Sequence, residues 1–260
     1  MKYSGNFFHN KDGIISIEFA ACFCAFSVLV FIIYDVYSSI MLQDKLERAN
    51  YTVASIFRER SSIYPVIDDK NGLNGSLLCQ KSNSASCFKS YELFDNTQVK
   101  ELSQLATSLL NGRNVILKVD ALYILQDINN PASLEHAKLV TLEEASCSDS
   151  VCNNNSGING YFSSLPSMTD RSNSTRADYT KLVPYVPRVV DPSNGLAGRW
   201  IPLYRVSMCI VNEESLYLKW INSNRATSNS LPNLCSNVVV LSRCDDIMNP
   251  NNTACPIYHR

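Results

Sequence analysis

The chain has 260 residues, and its 23 Lys and Arg against 24 Asp and Glu give a formal net charge of −1. Near-neutrality excludes the basic footprint of a nucleic-acid binder, and the 18% charged content lies below the roughly 25% of an average soluble domain, with Asn, Ser and Tyr making up the difference. Residues 62–260 suffice for one sizeable globular core once an N-terminal anchor and its extension are set aside.

Residues 14–34 carry a single formal charge, Glu18, in a run close to the ~20 residues that cross a bilayer as a helix. A carboxylate there costs about 2.5 to 3.5 kcal/mol on insertion scales and calls for a cation. Lys2 and Lys11 precede the span, and the positive-inside tendency keeps that end cytoplasmic and the C-terminal part outside. Cys22 and Cys24 fall within the span, roughly 200° apart around a helix, and read as small packing residues.

Beyond the span, Val36, Ile40, Leu42, Leu46, Ala49, Val53 and Ile56 recur at spacings of mostly three and four, with charged residues between them. This predicts an amphipathic continuation over residues 35–64, stopped by Pro65. A single helix of about 48 residues, roughly 70 Å long, results. The alternative is a separate anchor followed by a core helix. Arg58-Glu59-Arg60 reads as a solvated helix end, or as a docking site for another subunit.

Residues 68–76 are turn-rich, through Lys70-Asn71-Gly72 and Asn74-Gly75. Thr97 is placed as the N-cap of a helix over residues 97–110 with Val99, Leu102, Leu105, Ala106 and Leu109 on its apolar face and Gly112 as its stop. Residues 115–123 alternate as a strand with one mostly buried face, and residues 138–143 form a weaker strand. Residues 147–176, rich in Ser, Asn, Gly and Asp, read as a long surface loop. Residues 200–211 predict a strand, 215–220 a short helix, and 238–241 the best buried strand near the C-terminus. The assembled expectation is α+β, a long helix lying on a small, mainly antiparallel sheet.

Eight cysteines, Cys79, Cys87, Cys147, Cys152, Cys209, Cys235, Cys244 and Cys255, all lie beyond the span, an even set that reads as disulfides in an oxidising compartment. Short loops close at least entropic cost, which selects Cys79 with Cys87, Cys147 with Cys152, Cys209 with Cys235 and Cys244 with Cys255. The same sulfurs are too loosely spaced to suggest zinc, so no metal and no cofactor is expected. His9, His136 and His259 have no nucleophile pattern beside them, and phosphate-loop, Gly-x-Ser-x-Gly and His-Glu-x-x-His motifs are absent, so no catalytic residue is assigned. Tyr179, Tyr185 and Trp200 are candidates either for an interface or for packing.

A cut after Gly13 would give Ile14 a protonated α-amino group one helical turn from Glu18. The stretch Gly13-Ile14-Ile15-Ser16-Ile17-Glu18-Phe19-Ala20, after a short hydrophilic leader, resembles a prepilin processing site and, more narrowly, the opening of the TadE/TadF pseudopilins of the tight-adherence (Flp) pilus system. Leu46-Glu47-Arg48-Ala49-Asn50-Tyr51, Ile56-Phe57-Arg58-Glu59-Arg60-Ser61 with Tyr64, and Trp200-Ile201-Pro202-Leu203-Tyr204-Arg205-Val206 with Cys209 favour the TadF side of that family. The resemblance implies a non-enzymatic minor pilin-like subunit. In it, residues 1–13 are a cytoplasmic leader, 14–34 a transmembrane helix, 35–64 its extension and 65–260 an extracytoplasmic domain. It implies cleavage between Gly13 and Ile14 by a prepilin peptidase, and a role for Glu18 and Phe19 in assembly within the membrane. The implied partners are a TadE-like pseudopilin, the major Flp pilin, the inner-membrane assembly platform and the lipid bilayer, with no nucleic acid. The alternative is a signal-anchored periplasmic protein that binds a ligand or senses the envelope.

Overall fold

The computed structural model describes residues 11–69, 78, 88–147, 156–171, 178–190, 196–211, 233–244 and 255–260. Helix α1 (Lys11–Arg58) runs without interruption for 48 residues, which replaces the alternative of a separate anchor and core helix. It ends before Tyr64, the expected limit. Residues 60–62 tighten into a 3-10 turn, and the Tyr64 amide donates to the Arg60 carbonyl at 2.8 Å. Arg60 is drawn inward rather than solvated. Its guanidinium lies 4.8 Å from the centre of the Phe57 ring and 5.5 Å from that of Phe94, and donates to Gln98 Oε1.

Leu42, Leu46, Ala49, Asn50, Val53, Ala54 and Phe57 form the buried stripe of α1. Val36 and Ile40, placed on the same stripe by their spacing, are exposed because the body of the protein begins only at Leu42. Within the stripe, Asn50 is the polar member. Its amide donates to the Val206 carbonyl and to Ser236 Oγ, both at 3.2 Å, fixing the helix across two strands.

Strands β1 (Ile67–Asp68) and β2 (Lys89–Ser90) make a two-residue antiparallel ribbon. Helix α2 (Asn96–Leu109) follows. Its N-cap is Asp95, two residues before the expected Thr97: the carboxylate accepts from the Gln98 amide at 2.9 Å, the usual reach from N-cap to N3. Val99, Leu102 and Ala106 are buried as expected, whereas Leu109 faces outward and Leu110 takes the inner position. The helix stops at consecutive left-handed residues, Asn111 (φ 58°) and Gly112 (φ 81°).

The main sheet contains β3 (Val115–Leu125), β4 (Lys138–Cys147), β7 (Leu203–Val211) and β8 (Asn233–Leu241), antiparallel in the order β4-β3-β7-β8. Helices α1 and α2 cover one face: α1 packs on β7 and β8, and α2 on β3 and β4. Val115, Leu117, Val119, Ala121 and Tyr123 of β3 join Tyr204, Val206, Met208 and Ile210 of β7 in the core beneath them. Burying each large apolar side chain there stabilises the fold by about 1.5 to 3 kcal/mol.

The opposite face is covered as well, which corrects the expectation of one buried face for residues 115–123. Leu122 and Ile124 pack with Met168, Tyr179, Val183, Trp200 and Leu203. That second layer is built from β5 (Tyr185–Val190) and β6 (Ala197–Trp200), a separate antiparallel pair, and from α3 (Ser156–Ser164), which lies inside the segment expected to be loop. Ile158 of α3 is fully buried against Ile116 and Cys209, with Tyr161 and Phe162 beside it. Tyr179 and Trp200 are buried, and Tyr185 packs 5.1 Å from Trp200, so these aromatics are packing residues of the second layer. At Gly198 (φ 84°) a Cβ would collide with the Tyr185 ring, so glycine is required.

Two strand expectations need correction. The strand over residues 200–211 divides into β6 and β7 at Ile201-Pro202, where proline removes an amide and the Ile201 amide turns to the Pro184 carbonyl at 3.1 Å. Strand β8 lies at one end of the sheet order, so residues 238–240 are half-buried rather than central.

Disulfides join Cys209 to Cys235, cross-strand partners on β7 and β8, and Cys244 to Cys255. Cys147 is also disulfide-bonded. The expected Cys79 with Cys87 bridge, Cys152 and the helix over residues 215–220 lie outside the described residues.

Candidate functional site: the exposed half of α1 and its junction with the body

Every described side chain of α1 from Ile17 to Met41 is exposed or only partly covered, including Phe19, Phe23, Phe26, Leu29, Phe31 and Ile33. Its most apolar 18-residue window has a mean hydropathy of 2.3 and no buried share, whereas a core helix of the same composition would be mostly buried. Among the described residues this is the one helix long and apolar enough to cross a membrane. Gly13 and Ile14 lie within α1. Glu18 is exposed on the same apolar stretch, and Phe19, 72% exposed, stacks on Phe23 with ring centres 6.4 Å apart. The expected cleavage pair and Glu18-Phe19 thus share one projecting segment, far along the helix from the disulfides in the body.

Where that segment meets the body a cleft of about 190 Å³ opens, lined by Tyr34, Tyr37, Ser38, Met41, Leu42 and Lys45 of α1 and by Leu110, Asn111 and Arg113 of the turn after α2. Sequence reasoning missed it. The signals available were paired tyrosines at the end of the apolar run and an Asn-Gly turn followed by arginine.

Among the described residues, two arginine–carboxylate pairs are buried in the body. Glu92, 1% exposed, pairs with Arg199, accepts from Ser242 Oγ at 2.7 Å, and lies 3.1 Å from the Tyr258 hydroxyl. Its carbonyl accepts from the Tyr123 and Tyr204 hydroxyls at 2.7 and 2.8 Å. Burial, with Tyr204 and Tyr258 near Tyr123 and with Glu92 beside Tyr258, pushes these phenols well above their ordinary pKa, so they remain neutral donors. Burial raises Tyr204 as well. On the other face, Asp120 and Arg205 are cross-strand partners: Asp120 Oδ2 accepts from Arg205 Nε at 2.9 Å and Nη2 at 2.6 Å, and Lys118 Nζ lies 3.1 Å from Oδ1. Arg205 also donates to the Pro166 carbonyl at 2.6 Å, fastening the second layer to the sheet. These shielded groups tie strands and tail together inside the body and offer no exposed acid, base or nucleophile.

His136 is exposed, 3.0 Å from Ser133 Oγ, and His259 stacks edge-on against Phe88. Among the described residues no cluster of His, Cys, Asp and Glu is arranged to hold a metal.

The fold and its projecting helix define an α+β protein with one long N-terminal apolar helix. The family model of TadF, described as "Putative tight adherence pilin protein F", matches residues 6–243, nearly the whole chain, and the protein belongs to that family. No curated protein and no solved structure matches the chain. Pilin-family membership suggests a structural rather than catalytic protein, one anchored in a membrane and associated with other pilin-like chains.

Proposed function

We propose that this protein is a minor pilin-like subunit required for assembly of a tight-adherence pilus, and that a prepilin peptidase matures it between Gly13 and Ile14. Residues 14–34 hold it in the bacterial inner membrane with the leader in the cytoplasm and residues 65–260 in the periplasm. Its partners are a TadE-like pseudopilin, the major Flp pilin and the assembly platform. The observation carrying this reading is the exposure of the apolar half of α1, with Glu18 in it, on a chain of the TadF family. Disulfides confined to the body support an oxidising compartment for that part.

Cleavage would create an ammonium at Ile14, and low-dielectric surroundings strengthen its attraction to a carboxylate. Pairing with Glu18 of a neighbouring subunit would set that neighbour's depth in the bilayer. The peptidase needs close access to the bond, and Gly13 presents no side chain there. Gly13→Leu is therefore expected to abolish maturation and leave membrane insertion intact, read as an unprocessed band in the membrane fraction. Maturation at the normal rate would overturn the processing step.

A further inference from the structure

We infer that the free edge of β8 takes up an extended segment of a partner chain, which adds to the main sheet as an antiparallel strand and carries a basic side chain near its C-terminal end. The sheet runs β4-β3-β7-β8, so one flank of β8 has no neighbouring strand among the described elements. At the other end of the sheet β4 carries Lys138, Glu143 and Glu144, whereas β8 holds no charge and no proline over nine residues and pairs with β7 without a bulge. Charges, prolines and bulges are the usual defences of a sheet edge, and β8 lacks all three.

The direction of its backbone groups follows from the ladder. The Ser242 amide donates to the Pro202 carbonyl at 2.9 Å, continuing the β7 register, so even-numbered residues face β7 and odd-numbered ones face outward. The 4.2 Å Cα separation of Cys209 and Cys235 agrees, being that of a pair that exchanges no hydrogen bonds. Helix α1 closes both ends of the outward row: Gln43 Nε2 donates to the Cys235 carbonyl at 3.4 Å, and the Arg243 amide donates to the Arg58 carbonyl at 3.1 Å. Between them the outward groups of Asn237, Val239 and Leu241 have no backbone partner among the described residues.

Beside this row a slot of about 740 Å³ opens between Asp44, Glu47, Arg48, Tyr51 and Thr52 of α1 and Tyr161 of α3. Asp44 pairs with Arg48 at 2.9 Å, but Glu47 accepts from Gln43 Nε2 at 2.8 Å and has no cation among the described residues. A Lys or Arg on the incoming strand would complete it. Gln43 reaches both Glu47 and Cys235, which places that carboxylate at the start of β8 and therefore at the C-terminal end of an antiparallel guest. A second copy of this chain fits poorly. The contacts of Gln43 with Cys235 and of Arg58 with Arg243 make α1 run in the same direction as β8, so two β8 edges paired antiparallel would send their α1 helices opposite ways. This choice of occupant rests on the membrane-spanning reading given above, whereas the slot and its acidity do not.

The test uses the full chain in neutral detergent and an eight-residue peptide of alternating threonine and valine with a lysine near its C-terminus. Companion peptides carry glutamate in its place, the lysine at the N-terminal end, or N-methyl groups on every amide. Binding is read by fluorescence anisotropy and amide exchange by mass spectrometry. The lysine peptide should bind and slow exchange at Asn237, Val239 and Leu241, the glutamate peptide should bind roughly threefold to tenfold more weakly, and the N-methylated peptide should not bind. Glu47→Lys should reverse the lysine-over-glutamate order, which a merely structural role would not do. Asn237→Pro, which removes an outward amide and spares the β7 ladder, should abolish binding with thermal unfolding little changed; if it misfolds, the Glu47→Lys reversal decides. No binding at millimolar peptide, binding of the N-methylated peptide, tighter binding with the lysine at the N-terminal end, or protection elsewhere would overturn the assignment. Self-association lost in Asn237→Pro would give the edge to a second copy and overturn it too. None of these outcomes bears on cleavage after Gly13, so the two readings fail separately.

Discussion

Replacing Glu92 with Ala is expected to destabilise the protein by about 3 to 5 kcal/mol, the cost of leaving one member of a buried ion pair without its partner. Arg199 would stay 4% exposed with its charge uncompensated, and Ser242 and the Tyr258 hydroxyl would lose an acceptor. The loss reaches beyond one contact because Glu92 follows β2, Arg199 is on β6, Ser242 follows β8 and Tyr258 belongs to the tail, whose carbonyl accepts from the Gln126 amide at the end of β3. Against the 5 to 15 kcal/mol stability of an ordinary domain this is a large fraction, and it lowers the unfolding midpoint by about 6 to 20 °C for a body of this size. Thermal unfolding in detergent checks it. The double variant Glu92→Met, Arg199→Met should recover much of the loss, since two apolar side chains leave no orphan charge. Glu143→Ala, at an exposed carboxylate paired with Lys118, should change stability little.

Glu18→Leu is expected to leave insertion and cleavage intact and to abolish piliation. The substitution makes the span more apolar, so a failed anchor would not explain the loss. Glu18 is exposed on the helix and lies far from the buried ion pairs, so its removal leaves the body unchanged. Membrane blots for size, counts of surface pili and recovery of pilin-like partners separate the outcomes. Normal piliation would make Glu18 a tolerated charge at the membrane edge, and absent cleavage would transfer its role to peptidase recognition.

The long helix was legible in the sequence because residues 14–64 contain no Gly or Pro, and because a polarity change separates an apolar run from an amphipathic one. Strand β3 was legible in position but not in burial: alternation shows one apolar face, and only the tertiary arrangement reveals that Leu122, Ile124 and Asp120 are covered by a second layer. Helix α3 was hidden by Gly157, Asn159 and Gly160, which lower helix propensity, although Ile158, Tyr161 and Phe162 hold the spacing of one helix face. Arg60 was misread because a basic residue at a helix end is usually solvated. Burial of its guanidinium depends on Phe94 and Gln98, 34 and 38 residues further on, contacts that local sequence does not encode. The same holds for Glu92 with Arg199 and Asp120 with Arg205, whose pairing is a property of strand register and chain crossing. The proposed roles of Gly13, Ile14 and Glu18 rest on family resemblance, whereas the cleft needed the turn after α2 to be brought against α1.

The most direct measurement is the intact mass and N-terminal residue of the protein purified from membranes. The account predicts a chain that begins at Ile14, shorter by residues 1–13, and that removal of this leader, with Lys2, Lys11 and Asp12, takes the formal charge from −1 to −2 before termini are counted. A membrane-bound chain that still begins at Met1 would contradict the pilin-like account and leave a plain signal anchor carrying a periplasmic domain.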